Sequence, residues 1–149
     1  MKITGAAPKI AVPTFLYIIV AAIIDYETKP AFQITEESYS TLLAIGIIMI
    51  IAGVIIVANI GKKLRKAFKS GLLMMDGLYR YFRNPMYAAY LLLIIPGIGL
   101  ILNSWLVLSS VIINFVLFQV FIKDEYNYLH DKFGKDYQVY LQKVWIKFL

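Results

Sequence analysis

The chain reads as an all-α integral membrane protein: four transmembrane helices followed by a C-terminal amphipathic helix on the cytoplasmic side, all in one membrane domain spanning 1–149. Three observations predict this. Of its 149 residues, 60% are hydrophobic, and mean hydropathy is +0.72, far more apolar than a soluble domain of this length. The apolar residues gather into long runs at 10–24, 41–61 and 86–122, and about 20 such residues cross a bilayer as a helix. The charged residues between the runs separate by sign.

The first span, 10–24, follows Lys2 and Lys9 and could be taken for a secretory leader. No small-x-small cleavage site follows it, and the chain runs on into Asp25-Tyr26-Glu27, so it reads as a retained anchor. Pro13 falls in its first turns, where proline is tolerated. The second span, 41–61, ends at Asn59-Ile60-Gly61. The basic stretch 62–69 after it either lies along the membrane surface with its lysine stems snorkelling or is a solvated flank. The third run holds no charged residue and is long enough for two spans, 86–102 and 105–122. Pro96-Gly97-Ile98-Gly99 and then Asn103-Ser104 supply turn residues for a tight hairpin between them. Asn84-Pro85 marks the start of the third span, asparagine as N-cap and proline at the first helical position.

The tail, 124–149, carries charge every few residues and does not span. Its apolar positions Tyr126, Leu129, Phe133, Tyr137, Tyr140, Leu141, Val144, Trp145 and Phe148 recur in steps of three and four, one face of a helix. Gly134 is a candidate break. Such a helix either lies in the interface or covers the cytoplasmic end of the bundle.

Orientation follows from the basic residues. The segment 61–85 carries Lys62, Lys63, Arg65, Lys66, Lys69, Arg80 and Arg83 against Asp76 alone; the segment 25–40 carries Asp25, Glu27, Glu36 and Glu37 against Lys29 alone. The positive-inside rule places the first in the cytoplasm, and four spans then put both termini there, in the cytoplasmic membrane. The net charge of +6 is met by this topology and by anionic membrane lipids, with no nucleic-acid partner. There is no cysteine and one histidine, His130, which excludes disulfides, thiolate catalysis and cysteine metal sites and argues against a metal site built on histidines; no metal is expected. Oligomeric state is left open, since Gly46 and Gly53 permit packing without requiring it.

The cytoplasmic mouth of the last two spans gathers unlike groups. Tyr79, Arg80, Tyr81, Arg83, Asn84 and Tyr87 enter one span; Asp124, Glu125 and Tyr126 leave the next. Arginines and tyrosines beside a span serve as interface anchors or as ligand-binding groups. Together with carboxylates they suit a zwitterionic or cationic ligand: a carboxylate on Arg83, an ammonium on Glu125, a positive centre on a tyrosine face.

The ordered set resembles the isoprenylcysteine carboxyl methyltransferase and phospholipid methyltransferase family of integral membrane enzymes. That family shows Gly-x-Tyr-Arg-x-x-Arg-His-Pro-x-Tyr before a helical hairpin; here the segment reads Gly77-Leu78-Tyr79-Arg80-Tyr81-Phe82-Arg83-Asn84-Pro85-Met86-Tyr87. The family's later glutamate pair, leucine and Phe-Gly-x-x-Tyr-x-x-Tyr correspond to Glu125, Leu129, Phe133-Gly134, Tyr137 and Tyr140. The chain departs from the pattern at Asn84 in place of histidine, Tyr126 in place of the second glutamate and Ala89 in place of glycine. The resemblance implies S-adenosylmethionine as cofactor, with Arg83, Pro85 and Tyr87 at its pocket and Glu125 binding it or ordering the site; Tyr79, Asn84 and Tyr137 join them as candidate cofactor-binding residues, and Arg83 and Glu125 are the candidate catalytic pair. It implies methyl transfer to a lipophilic small molecule or lipid, either a prenylcysteine-like carboxylate or a phospholipid amine. Two other functions fit the same sequence: a lipid-binding or interaction module without catalysis, and a nicotinamide-dependent membrane reductase.

Overall fold

Among the described residues, three helices are long and apolar enough to cross a membrane: α1 (Ala7–Glu27), α2 (Tyr39–Lys69), and the run in which α5 (Trp105–Leu108) leads into α6 (Ser110–Lys143). A shorter apolar rod, Pro85–Ile101, completes the set. It consists of α3 (Pro85–Ala89), a π-helical turn (Tyr90–Ile94) and α4 (Ile95–Ile101). The computed structural model describes residues 5–147, and among these no sheet forms; β pairing is limited to two isolated bridges, Gln33 with Ser104 and Phe82 with Ile146.

The outward faces are apolar. Ile48, Ile51, Val54 and Ile55 of α2 are exposed, while its buried positions are Gly46, Gly53 and Ile60. Small residues inside and large aliphatics outside suit a chain whose solvent is lipid. The seven-residue step lays the two glycines on one face, where α2 crosses the 85–101 rod. A β-carbon on Gly46 would come within 2.8 Å of the Gly97 carbonyl oxygen, and one on Gly97 within 2.9 Å of the Gly46 carbonyl oxygen. The two backbones therefore touch directly.

This use of glycine corrects the expected hairpin. Pro96-Gly97-Ile98-Gly99 stays helical, and its glycines admit α2 on one side and Leu108 on the other. The turn is carried by Leu102–Ser104 alone. Asn103 adopts φ 53 there, which asparagine tolerates, and the Ser104 hydroxyl accepts from Val107 N–H to start α5. The loop between α1 and α2 closes on this turn: Ile34 N–H donates to the Asn103 carbonyl at 3.2 Å and Trp105 N–H to the Phe32 carbonyl at 2.8 Å.

Two other boundaries also move. The stretch 62–69 is the continuation of α2, because one glycine at 61 is outweighed by the good helix formers that follow. At 31 residues, α2 is about 46 Å long, so its basic last turns project beyond a hydrocarbon core of about 30 Å. Likewise α6 does not end at Lys123-Asp124-Glu125: charge changes the solvent a helix prefers but breaks no backbone bond. It runs on to Gly134, whose φ of 47° and ψ of −116° kink it, and resumes to Lys143. Phe148, counted in the tail's apolar stripe, lies outside the described residues.

Candidate functional site

The end of the bundle opposite the Asn103 turn is where four pieces of chain converge: the start of α1, the last turns of α2, the segment 77–87 and the middle of α6. They enclose a cavity of about 270 Å³ with Tyr79, Asn84, Tyr87, Tyr90, Glu125 and Arg65 on its walls. Gly61 and Leu64 of α2 complete one side, and Gly5, Ala7 and Pro8 roof it.

Glu125 is the anchor of this cavity. Its Oε2 accepts the Tyr87 hydroxyl at 2.9 Å and the Ala6 N–H at 3.1 Å. No side chain of α1 caps its own first turn; the carboxylate of α6 meets that helix start instead, where the helix dipole favours negative charge. Gly5, at φ +52, lies so close that a β-carbon there would collide with the Glu125 carboxylate. Burial first, and then the Glu125 charge, push the Tyr79 phenol up from its ordinary value, so Tyr79 remains a neutral hydrogen-bond donor. Asn84 starts α3 by its backbone alone: its side chain makes no cap bond and instead donates from Nδ2 to the Tyr126 hydroxyl.

Arg83 sits on the other side of Asn84. Its guanidinium carbon is 3.2 Å from the centroid of the Tyr126 ring, and Nη2 and Nε donate to the Tyr137 hydroxyl at 2.6 and 3.2 Å. The tail reaches it because the kink at Gly134 turns the chain back over the mouth. Tyr137, Tyr140 and Val144 are buried there with Leu73 and Tyr79 packed against them. The Tyr140 hydroxyl donates to the carbonyl of Tyr79 at 2.9 Å. Arg83 N–H donates to the Ile146 carbonyl at 2.9 Å and Ile146 N–H to the Tyr81 carbonyl at 2.8 Å.

Of the residues expected at the site, Tyr79, Asn84, Tyr87 and Glu125 share the cavity wall. Pro85 is buried at the start of α3. Arg83 and Tyr137 do not line the cavity; the guanidinium points to the tail, because two tyrosines compete for it by stacking and hydrogen bonding. Trp145, at the end of the tail's apolar stripe, is 76% exposed and pairs edge-on with the Tyr81 ring at 5.9 Å, so it does not pack into the bundle. Sequence reasoning missed Arg65 and Tyr90. Arg65 was legible in principle, since Gly61, Leu64 and Arg65 stand at i, i+3 and i+4 on one helix face. Among the described residues no cluster of three metal-ligating side chains occurs.

The family model for phospholipid methyltransferase matches residues 40–136, about two thirds of the chain. The chain belongs to this family. Neither curated proteins nor solved structures give a significant match. The matched stretch runs from the start of α2 through the rod and into α6 past the kink. It thus contains Tyr79, Asn84, Tyr87 and Glu125, while α1 and the tail tyrosine Tyr137 lie outside it. Membership in the phospholipid methyltransferase family implies S-adenosylmethionine-dependent methylation of a lipid acceptor. The residues present fit such a cofactor: a carboxylate, neutral tyrosine hydroxyls and rings, and one arginine on the walls of a single cavity offer opposite charges to a zwitterion and π faces to a sulfonium.

Proposed function

We propose that the chain transfers a methyl group to a lipid acceptor, a phospholipid amine before a prenylcysteine-like carboxylate, at the cytoplasmic face of a four-span bundle. The observation that carries this reading is the pairing of Glu125 with Tyr87 in a cavity that Arg65 also lines, within the stretch matched by the family. Here S-adenosylmethionine, when bound, supplies an electrophilic methyl carried on sulfur. Glu125 would hold its ammonium end, Arg65 its carboxylate, and the rings of Tyr79, Tyr87 and Tyr90 would offer faces to its positive centre. An amine acceptor would have to lose a proton before its nitrogen could take the methyl group, and Glu125 is the carboxylate on the cavity wall that could accept it. A carboxylate acceptor is already ionised at neutral pH and needs only placement. Arg83 contributes indirectly, by bracing Tyr126 and Tyr137 so that the tail stays closed over the mouth.

The test is binding and turnover with detergent-purified protein. Radiolabelled S-adenosylmethionine should bind and pass its label to a component of a lipid extract. Binding without any lipid labelling would favour a non-catalytic module, and nicotinamide binding in its place a reductase.

The orientation has its own check. Lys66 and Glu36 are exposed at opposite ends of the bundle. Single cysteines placed there should react with a membrane-impermeant maleimide from opposite sides, Lys66 from the cytoplasm. Labelling of both from one side would remove the four-span topology.

A further inference from the structure

Next to the tyrosine–glutamate cavity lies a second one of about 250 Å³. The two have Ala7, Pro8, Tyr87 and Tyr90 in common, so they adjoin. The second follows the first turns of α1 and faces the π-helical turn of the rod. Beyond the two shared tyrosines, its walls are apolar except at Thr14 and Asn114. Phe15, on its outer edge, is 44% exposed, so the crevice is open toward the surrounding lipid.

Its origin is local. Pro96 has no N–H, and its ring cannot sit against the carbonyl four residues back. The rod widens one turn earlier, and Ile95 N–H reaches five residues back to the Tyr90 carbonyl. Such π turns occur preferentially at functional positions, and Tyr90, which begins this one, lines both cavities.

The buried polar pair is the second observation. Asn114 is 6% and Thr14 2% exposed. The Thr14 hydroxyl donates to the Ile10 carbonyl at 2.8 Å, so its oxygen can only accept, and Asn114 Nδ2 donates to it at 3.1 Å. That fixes the amide: the NH₂ faces α1, and Oδ1 has no partner among the described residues. A bare amide oxygen within a membrane-spanning bundle is costly, and Asn114 is on the crevice wall. Along α6, eleven residues separate Asn114 from Glu125, about 16 Å at 1.5 Å per residue.

We propose that this crevice holds one aliphatic chain of a lipid whose polar head lies against Glu125 and Tyr87. Asn114 then accepts a hydrogen bond from a hydroxyl or amide N–H that the chain carries about 16 Å from the carboxylate. The placement of the head rests on the function proposed above; the crevice itself does not. At about 250 Å³ the space falls below the usual range of about 300–1,000 Å³ for a whole drug-sized ligand, which suits part of a lipid, one chain, rather than the whole molecule. The chain enters past Phe15 without leaving hydrocarbon.

The experiment uses the full-length protein in lipid nanodiscs. The probe is a single-chain phosphoethanolamine with a diazirine at mid-chain, and the competitors are the same lipid without diazirine, plain or hydroxylated at mid-chain. Photolabelling should fall on residues 10–15 and 90–95, and excess competitor should suppress it at least tenfold. Ala11→Trp, which fills the crevice, should reduce it as much while leaving S-adenosylmethionine affinity within twofold. The hydroxylated competitor should be about two- to tenfold the better one, the worth of a hydrogen bond, and Asn114→Leu should erase that advantage. Labelling that no competitor suppresses, or that falls equally on outward residues such as Ile48 and Val54, overturns the chain site. Equal competition by both lipids on wild-type protein overturns the role of Asn114. Should Ala11→Trp not fold, the competition on wild-type protein and Asn114→Leu decide the matter. Saturable labelling without S-adenosylmethionine binding would sink the methyltransferase reading and leave the crevice standing; the reverse would sink only the crevice.

Discussion

Glu125→Gln is expected to weaken S-adenosylmethionine binding by roughly 30- to several-thousand-fold, the effect of losing a charged contact worth about 2–5 kcal/mol. The substitution separates two jobs of one side chain. Glutamine has the same shape and keeps an oxygen to accept from Ala6 N–H and the Tyr87 hydroxyl, the two bonds the carboxylate makes within the protein. The fold and the start of α1 should therefore survive, with loss of only the modest helix-terminus contribution of about 0.3–1 kcal/mol. What disappears is the negative charge on the cavity wall. Titration calorimetry gives the affinity, and thermal melting in the same detergent shows that the bundle is intact. Unchanged affinity at unchanged melting temperature would assign Glu125 to holding α1 and take the central group out of the proposed site.

The second large effect concerns the tail. A chain ending after Phe133 keeps Glu125 and Tyr126 but lacks everything beyond the kink. It loses the buried cluster of Tyr137, Tyr140 and Val144, the bond from the Tyr140 hydroxyl to the Tyr79 carbonyl and the pairing of Ile146 with Tyr81 and Arg83. Removing one buried aromatic typically costs about 3–5 kcal/mol. Three buried side chains together should suffice to free the segment 79–83, which carries Tyr79 on the cavity wall. Donor affinity should drop at least about a hundredfold, with membrane insertion preserved as judged by cysteine labelling at Lys66 and Glu36. Arg83→Lys refines the test. Lysine keeps the charge but loses the planar stack on Tyr126 and the two-pronged grip on Tyr137. If Arg83 braces the tail, Arg83→Lys should resemble Arg83→Ala; if it binds the donor's carboxylate directly, lysine should rescue much of the affinity. A truncated protein that binds normally would leave the tail as an interface anchor only.

What the sequence determined by itself is what depends on composition and local order. The helical membrane class, the long apolar segments, the break at Gly134 and the turn at Asn103-Ser104 were all legible, because a bilayer demands internally hydrogen-bonded runs of fixed length and a kink or turn demands particular backbone angles. The ordered motif around Tyr79–Tyr87 and Glu125 pointed to the family that the match over 40–136 bears out. Tertiary structure decided the rest. Pro96, Gly97 and Gly99 look like turn residues until α2 and α5 pack against them, since a helix accepts glycine when a neighbour fills the missing volume. Lys123-Asp124-Glu125 look like a helix end until the helix is seen to pass from lipid into the mouth unbroken. Asn84 looks like a side-chain cap and Arg83 a partner of Glu125, yet each is turned toward a tyrosine. The reason is common to all four: a side chain or a small residue takes the best partner in space, and which partners are near is fixed only when helices distant in sequence have packed.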